Sequence, residues 1–236
     1  MHILVIDGSH VEAEFRAKFG PAHAYSFINT EDSYDWEAVE AAIDTIAATV
    51  DVSFTFALAS DTHGATRWFD KFSIPAFAEI SWNSLAQSHF EATNGKPKRP
   101  CFGFCGLPTL LNRPLLEVSL YDEADREQLA AICAALGTDY RLVADRVGLV
   151  TPRVICQIIN EACFTVQEGT ATMQDVDLGM RLGTNYPRGP FAWANAIGVE
   201  RVYAVLDAMW HDTHDERYKI CPLLKRQALR GAPFAV

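Results

Sequence analysis

The sequence predicts an α/β domain over residues 1–146 followed by an all-α domain over 147–236. Three observations carry this reading. Short apolar runs alternate with amphipathic stretches in the first part. Only helical periodicity remains in the second, and no internal repeat or low-complexity segment crosses either. The chain has 236 residues, 49% of them hydrophobic, enough for two modest cores.

Ile3–Ile6 is a continuous apolar run, the pattern of a central parallel strand. Val11, Phe15 and Phe19 then mark one helix face, closed by Gly20-Pro21. A second strand is predicted at Ala24–Asn29, then a helix with Trp36, Val39, Ile43 and Ile46 on one side. Val52, Phe54, Phe56 and Leu58 alternate with smaller residues, a strand signal. A turn at Ser60–Gly64, a short helix around Trp68–Phe72 and a strand at Ala76–Ile80 follow. This β-α-β-α-β-α-β order predicts a parallel sheet covered on both faces. Cys101–Cys105 and Leu115–Leu120 read as further strands. The stretch from Asp122 to Gly137 is acidic at its start, apolar at Leu129, Ile132, Cys133 and Leu136, and ends in glycine, so it reads as a helix. Tyr140–Ala144 returns to the sheet.

From Gly148 the texture changes. Ile155, Ile158, Ile159, Ala162 and Val166 lie at helical spacing, and Thr172 with Asp175 forms a capping-box pattern opening the next helix. Arg201–Trp210 predicts another.

Composition excludes several classes. No run of about eighteen apolar residues predicts a membrane span, and the first residues lack the basic flank of a secretory signal. A net charge of −10, with one short basic run at Lys96–Arg99, argues against nucleic acid, whose phosphates need clustered cations. The six cysteines show no CxxC pair and predict reduced thiols in a cytoplasmic setting, with no metal site.

The helical half carries a family resemblance. Ile158-Ile159-Asn160-Glu161-Ala162, Asp175-Val176-Asp177, Met180-Arg181-Leu182-Gly183, Tyr186-Pro187-Arg188-Gly189-Pro190-Phe191 and Ile197-Gly198 follow one another in order, continuing through Asp215–Tyr218 and Pro222-Leu223-Leu224. The series resembles the C-terminal domain of 3-hydroxyacyl-CoA dehydrogenases. The resemblance implies a Rossmann-like first domain, a homodimer formed through the helical domain, an acyl-CoA ligand and a place in fatty-acid metabolism. It also implies NAD as cofactor. The first domain is similar more loosely and is shorter than the family's by about one βα unit plus a helical insertion, with the loss placed between residues 29 and 52.

A dinucleotide turn needs G-x-G-x-x-G after the first strand. Here those positions are Asp7, Ser9 and Glu12, and the retained Gly8 falls between them. Ser9-x-x-Glu12 is instead a capping-box pattern, expected to satisfy the helix N-terminus internally and to bring a carboxylate where pyrophosphate would sit. The resemblance also locates the family's catalytic positions. They fall at Asn83 for the substrate-orienting serine, Cys105 for the histidine base, Glu117 for its partner carboxylate and Pro152 for the asparagine. Only Glu117 keeps its chemistry. A thiol titrates near 8.5 and a neighbouring glutamate raises it, so Cys105 is a poor base. The expectation is a family fold that binds no cofactor and lacks family catalysis, with an active but divergent dehydrogenase and a purely structural module as alternatives. Two further polar groups stand out. His63 lies after a predicted strand end, and His211 with His214 lies in a polar turn that reads as a turn rather than a metal site.

Overall fold

A computed structural model of the chain describes residues 1–30, 36–56, 74–93 and 96–236. It divides into two compact units, Met1–Leu149 and Val150–Val236. The first unit holds a seven-stranded sheet in the order β2-β1-β3-β4-β5-β6-β7. The strands are β1 (His2–Ile6), β2 (Ala24–Ile28), β3 (Val52–Thr55), β4 (Ala76–Glu79), β5 (Cys101–Phe104), β6 (Leu115–Leu120) and β7 (Asp139–Leu142). The first five are mutually parallel; β6 runs antiparallel to β5, and β7 parallel to β6.

The period of two in β1 divides the core between the faces of the sheet. Ile3 and Val5 join Phe15 and Phe19 of α1 (Glu12–Phe19), while Leu4 and Ile6 join Val39 and Ile43 of α2 (Trp36–Ala47). The first face is unusually aromatic. Phe54 stacks on Phe77 at 4.6 Å and meets Phe15 and Phe104 edge-on. Among the described residues, α3 (Leu85–Thr93) and α4 (Arg126–Leu136) also belong to this unit. Gly137, at φ 71°, terminates α4 in the left-handed conformation that glycine adopts without penalty.

Because β1 is flanked by β2 on one side and β3 on the other, the chain reverses its direction of winding there. In such sheets the crevice at the carboxyl ends of those two strands is where ligands bind. Here that place belongs to Ile6-Asp7-Gly8 and Thr55-Phe56.

The second unit is helical: α5 (Thr151–Gln167), α6 (Met173–Gly183), α7 (Pro190–Ile197), α8 (Val199–Thr213) and α9 (Pro222–Leu229). Buried polar side chains pin it. Asn160 accepts from Cys221 N–H and donates to the Lys219 carbonyl, both at 2.9 Å, which ties α5 to the segment entering α9. Asp177 accepts from Phe191 and Ala192 N–H at 2.7 and 2.9 Å, so it closes the N-terminus of α7. That contact demands Gly189, where a Cβ would lie 2.2 Å from the Asp177 carboxyl carbon. The predicted Thr172–Asp175 box forms, with Asp175 N–H donating to Thr172 Oγ1 at 3.1 Å. No helix among the described residues is long and apolar enough to cross a membrane.

Candidate functional site

The turn after β1 does not take the form its sequence suggested. Ser9–Val11 forms a 3-10 turn, Val11 precedes α1 and no side chain caps either start. Glu12 instead pairs with Arg16 at 2.8 Å on the exposed side of α1. The Ser9/Glu12 box is therefore corrected: the pattern is present, but the backbone enters the helix two residues too late for serine to reach it.

At the carboxyl end of β1 stands Asp7. It is 8% exposed and sits at φ 57°, a left-handed conformation that costs a non-glycine residue roughly 1–2 kcal/mol. Its carboxylate accepts from Thr30 N–H at 2.5 Å and from Thr30 Oγ1 at 2.7 Å. This clip joins the end of β1 to the chain leaving β2. Beside it, Phe56 lies over Gly8, where a Cβ would meet Val5 at 2.5 Å and the Phe56 ring at 2.7 Å. The same ring lies over Gly106, 2.5 Å from where a Cβ would stand, and His10 meets it edge-on at 5.6 Å.

A dinucleotide needs the backbone at this turn open to its pyrophosphate. Here a carboxylate takes the first glycine's position and an aromatic ring lies over Gly8. The residues at the turn do not fit NAD.

The catalytic positions of the first unit come together only in part. Antiparallel pairing of Phe104 with Val118 sets Cys105 opposite Glu117. Cys105 is 4% exposed. Its sulfur lies 3.9 Å from Ser81 Oγ, whose hydroxyl donates in a short hydrogen bond to Glu79 Oε1. Ser81 N–H and Gly106 N–H donate to the same oxygen at 3.0 and 3.4 Å. Burial pushes the Cys105 thiol far above its ordinary range; Glu79 pushes it further, and Glu117 adds a smaller push. Hydrogen bonds at Leu107 and Ser81 oppose this only partly. Burial and the two acidic side chains thus disfavour the thiolate form of Cys105.

Asn83 follows the end of β4. Its side chain accepts from Ser84 N–H at 2.8 Å, in the turn that leads into α3. The first donors of α3 are taken by Asp145, from Leu85 N–H at 2.8 Å and Ala86 N–H at 3.0 Å. Pro152 is buried in the first turn of α5, where its missing N–H costs nothing. His63 lies outside the described residues. His211 approaches Asp207 at 3.6 Å, and no group of three or more metal-ligating side chains exists among the described residues.

Glu79 is the residue that sequence reasoning missed. Its signal was a single carboxylate closing the otherwise apolar run Ala76–Ile80. Such a residue at the end of a buried strand must find donors, and it finds three.

The buried thiols set a pH dependence. Cys105, Cys156 and Cys163 are all raised chiefly by burial, and Cys133 is pushed up to about 11 by the same cause. The folded protein therefore holds protons that the unfolded chain releases near pH 8.5. Stability from these groups is complete below that pH and is lost above it, at roughly 1.4 kcal/mol per pH unit for each fully buried thiol. Urea midpoints are expected to fall steeply between pH 8.5 and 10, with no native-state labelling of Cys105 by thiol reagents at pH 7. A midpoint that holds or rises over that interval contradicts the buried-thiol account.

Residues 148–233 match the family model for the 3-hydroxyacyl-CoA dehydrogenase C-terminal domain. The chain is 44% identical over 87 residues to 3-hydroxyadipyl-CoA dehydrogenase of Escherichia coli strain K12, a match covering 37% of this chain and 18% of that protein. It is 28% identical over 155 residues to 3-hydroxybutyryl-CoA dehydrogenase of Bradyrhizobium diazoefficiens, covering 63% of this chain and 52% of that one. The chain thus spans about half or less of the length of these curated relatives. Among solved structures, M. tuberculosis FadB2 superposes with a TM-score of 0.72 at 16% identity, over 97% of this chain and 93% of that one. The (S)-3-hydroxybutyryl-CoA dehydrogenase PaaH1 of Ralstonia eutropha gives 0.67 at 18% identity, over 98% and 94%. At these identities the superpositions establish the fold.

Proposed function

We propose that this chain, whose residues 148–233 match the 3-hydroxyacyl-CoA dehydrogenase C-terminal domain, is a member of that family that acts without its redox chemistry, as a dimeric protein that binds an acyl-CoA thioester. The observation that carries the proposal is the Asp7–Thr30 clip at the turn where the fold would receive NAD. A hydride acceptor that cannot be seated leaves no route from 3-hydroxyl to ketone. The proton side agrees: a base must change protonation near the working pH, and the surroundings of Cys105 disfavour its thiolate. What such a protein retains is the relatives' helical domain, so the thioester is the ligand class it keeps and a second copy its partner.

The test combines an assay with a titration. NADH oxidation by a 3-ketoacyl-CoA is expected to stay at the background of a Cys105→Ala variant. Calorimetry with the same thioester is expected to show saturable binding. Turnover above that background would overturn the loss of chemistry and establish a divergent dehydrogenase. Heat from neither thioester nor NADH would overturn the ligand and leave a structural module.

A further inference from the structure

At the end of the sheet opposite the Asp7 turn lies a polar pocket. β5 runs parallel to β1 through β3 and β4, so the segment entering β5 stands at the amino ends of these strands. That segment is the basic run Lys96-Pro97-Lys98-Arg99-Pro100, three cations within four residues of a chain whose net charge is −10. β6 runs back beside β5, and Tyr121 N–H donates to the Cys101 carbonyl at 3.3 Å, so the chain leaving β6 meets the basic run. Between them is a cavity of about 240 Å³, lined by Lys96, Lys98, Arg99, Tyr121, Asp122 and Asp125 among others.

The pocket is more than a grouping of surface lysines. Arg99 is 6% exposed, and its Nη1 donates to the Ile74 carbonyl at 3.0 Å, which fixes the guanidinium. Pro97 and Pro100 restrict the backbone on either side of it. Tyr121 is backed by the buried His89 of α3, edge-on at 5.2 Å. On the other wall, Asp122 gives one oxygen to Ala124 N–H at 3.0 Å. Burial and the adjoining Asp122 push the Asp125 carboxyl up, so the two acids are near neighbours.

The two walls call for different groups. Three cations favour a phosphate, and a guanidinium presents its donors in the planar fork that phosphate oxygens match. Two carboxylates repel a bare phosphate, yet they accept hydrogen bonds from hydroxyl groups. We infer that this pocket binds a sugar phosphate, the phosphate at Lys96, Lys98 and Arg99 and the hydroxyls at Asp122 and Asp125. A simple anion would leave the acidic wall opposed to it, and a simple sugar would leave the basic wall without counter-charge. A cavity below the roughly 300 Å³ at which pockets for larger ligands begin suits a pentose phosphate rather than a nucleotide. The site uses no residue of the crevice beside Asp7, so it stands independently of the acyl-CoA reading.

Isothermal titration of the full chain tests this with ribose 5-phosphate, inorganic phosphate and ribose, at low salt where exposed cations are least screened. Ribose 5-phosphate is expected to bind saturably at millimolar concentration or below, phosphate about tenfold more weakly, and ribose without measurable heat. Lys96→Ala and Lys98→Ala alter exposed side chains, so the fold should survive, which circular dichroism verifies. Each is expected to weaken ribose 5-phosphate and phosphate alike, by about tenfold. Asp125→Ala is expected to weaken ribose 5-phosphate but not phosphate, a split that a merely structural role would not produce. Absence of saturable heat from ribose 5-phosphate overturns the site. Equal affinity for phosphate and ribose 5-phosphate overturns the ligand class, and lysine variants that bind as tightly as the parent overturn the location.

Discussion

Replacing Asp7 by alanine is expected to lower stability by roughly 3–5 kcal/mol, read as a shift of the urea midpoint. Two effects add. Thr30 N–H and Thr30 Oγ1 lose their acceptor while the residue stays buried, at 1% exposure, and charge-assisted bonds of this kind contribute about 1.5–3 kcal/mol each. Alanine must also hold the left-handed φ of 57° without the hydrogen bonds that offset it. Asp7→Asn keeps one acceptor and should lose about half as much. Asp7→Gly removes the backbone strain and so should fall less than alanine. That order, asparagine and glycine both milder than alanine, distinguishes a clip from a general packing defect. An alanine variant as stable as the parent would mean that the carboxylate holds nothing.

Phe56→Ala is the second large effect, at about 3–5 kcal/mol for a buried phenylalanine. The ring is 2% exposed and touches Phe15 and Phe104 edge-on at 6.2 and 5.3 Å. It also fills the space over Gly8 and Gly106. Removing it leaves a cavity with a glycine on two sides, and glycine has no side chain with which to fill the gap. Phe56→Leu retains most of the volume and should lose less than half as much. Equal losses for alanine and leucine would show that ring contacts, not the filled volume, are what the site needs.

Much of the fold was legible because it is local. The apolar run Ile3–Ile6, the Val11–Phe15–Phe19 face and the periodicity from Ile155 onward depend only on neighbours in sequence, and each lies in the predicted element except Val11, which stands in the 3-10 turn before α1. The family series in the helical half was legible for the same reason. Two capping patterns show where local reading stops. Thr172 and Asp175 form theirs because Thr172 is extended, at φ −77° and ψ 162°, directly before α6. Ser9 and Glu12 carry the same spacing, but Ser9 lies inside a 3-10 turn and Glu12 has Arg16 one turn away. Long-range partners were not legible at all. Asp7 meets Thr30 because β2 lies next to β1, and Glu79 meets Gly106 because β5 lies next to β4. Strand order decides both, and no periodicity encodes strand order. Cys105 and Glu117 were placed together by resemblance, and β5–β6 pairing gives them a physical reason to be neighbours. That Glu79 rather than Glu117 weighs more on the thiol follows from its burial, 5% exposed at the end of β4.

On the proposed function, protein atoms hold the place of the dinucleotide. Isothermal titration of the full chain with NADH measures this directly, free of any assumption about substrate. The account predicts no saturable heat up to millimolar NADH, and the same null result for Asp7→Gly, because Phe56 still covers Gly8. Saturable micromolar binding to the parent chain would contradict it, since the pyrophosphate would then have to lie where Asp7 and Phe56 are placed.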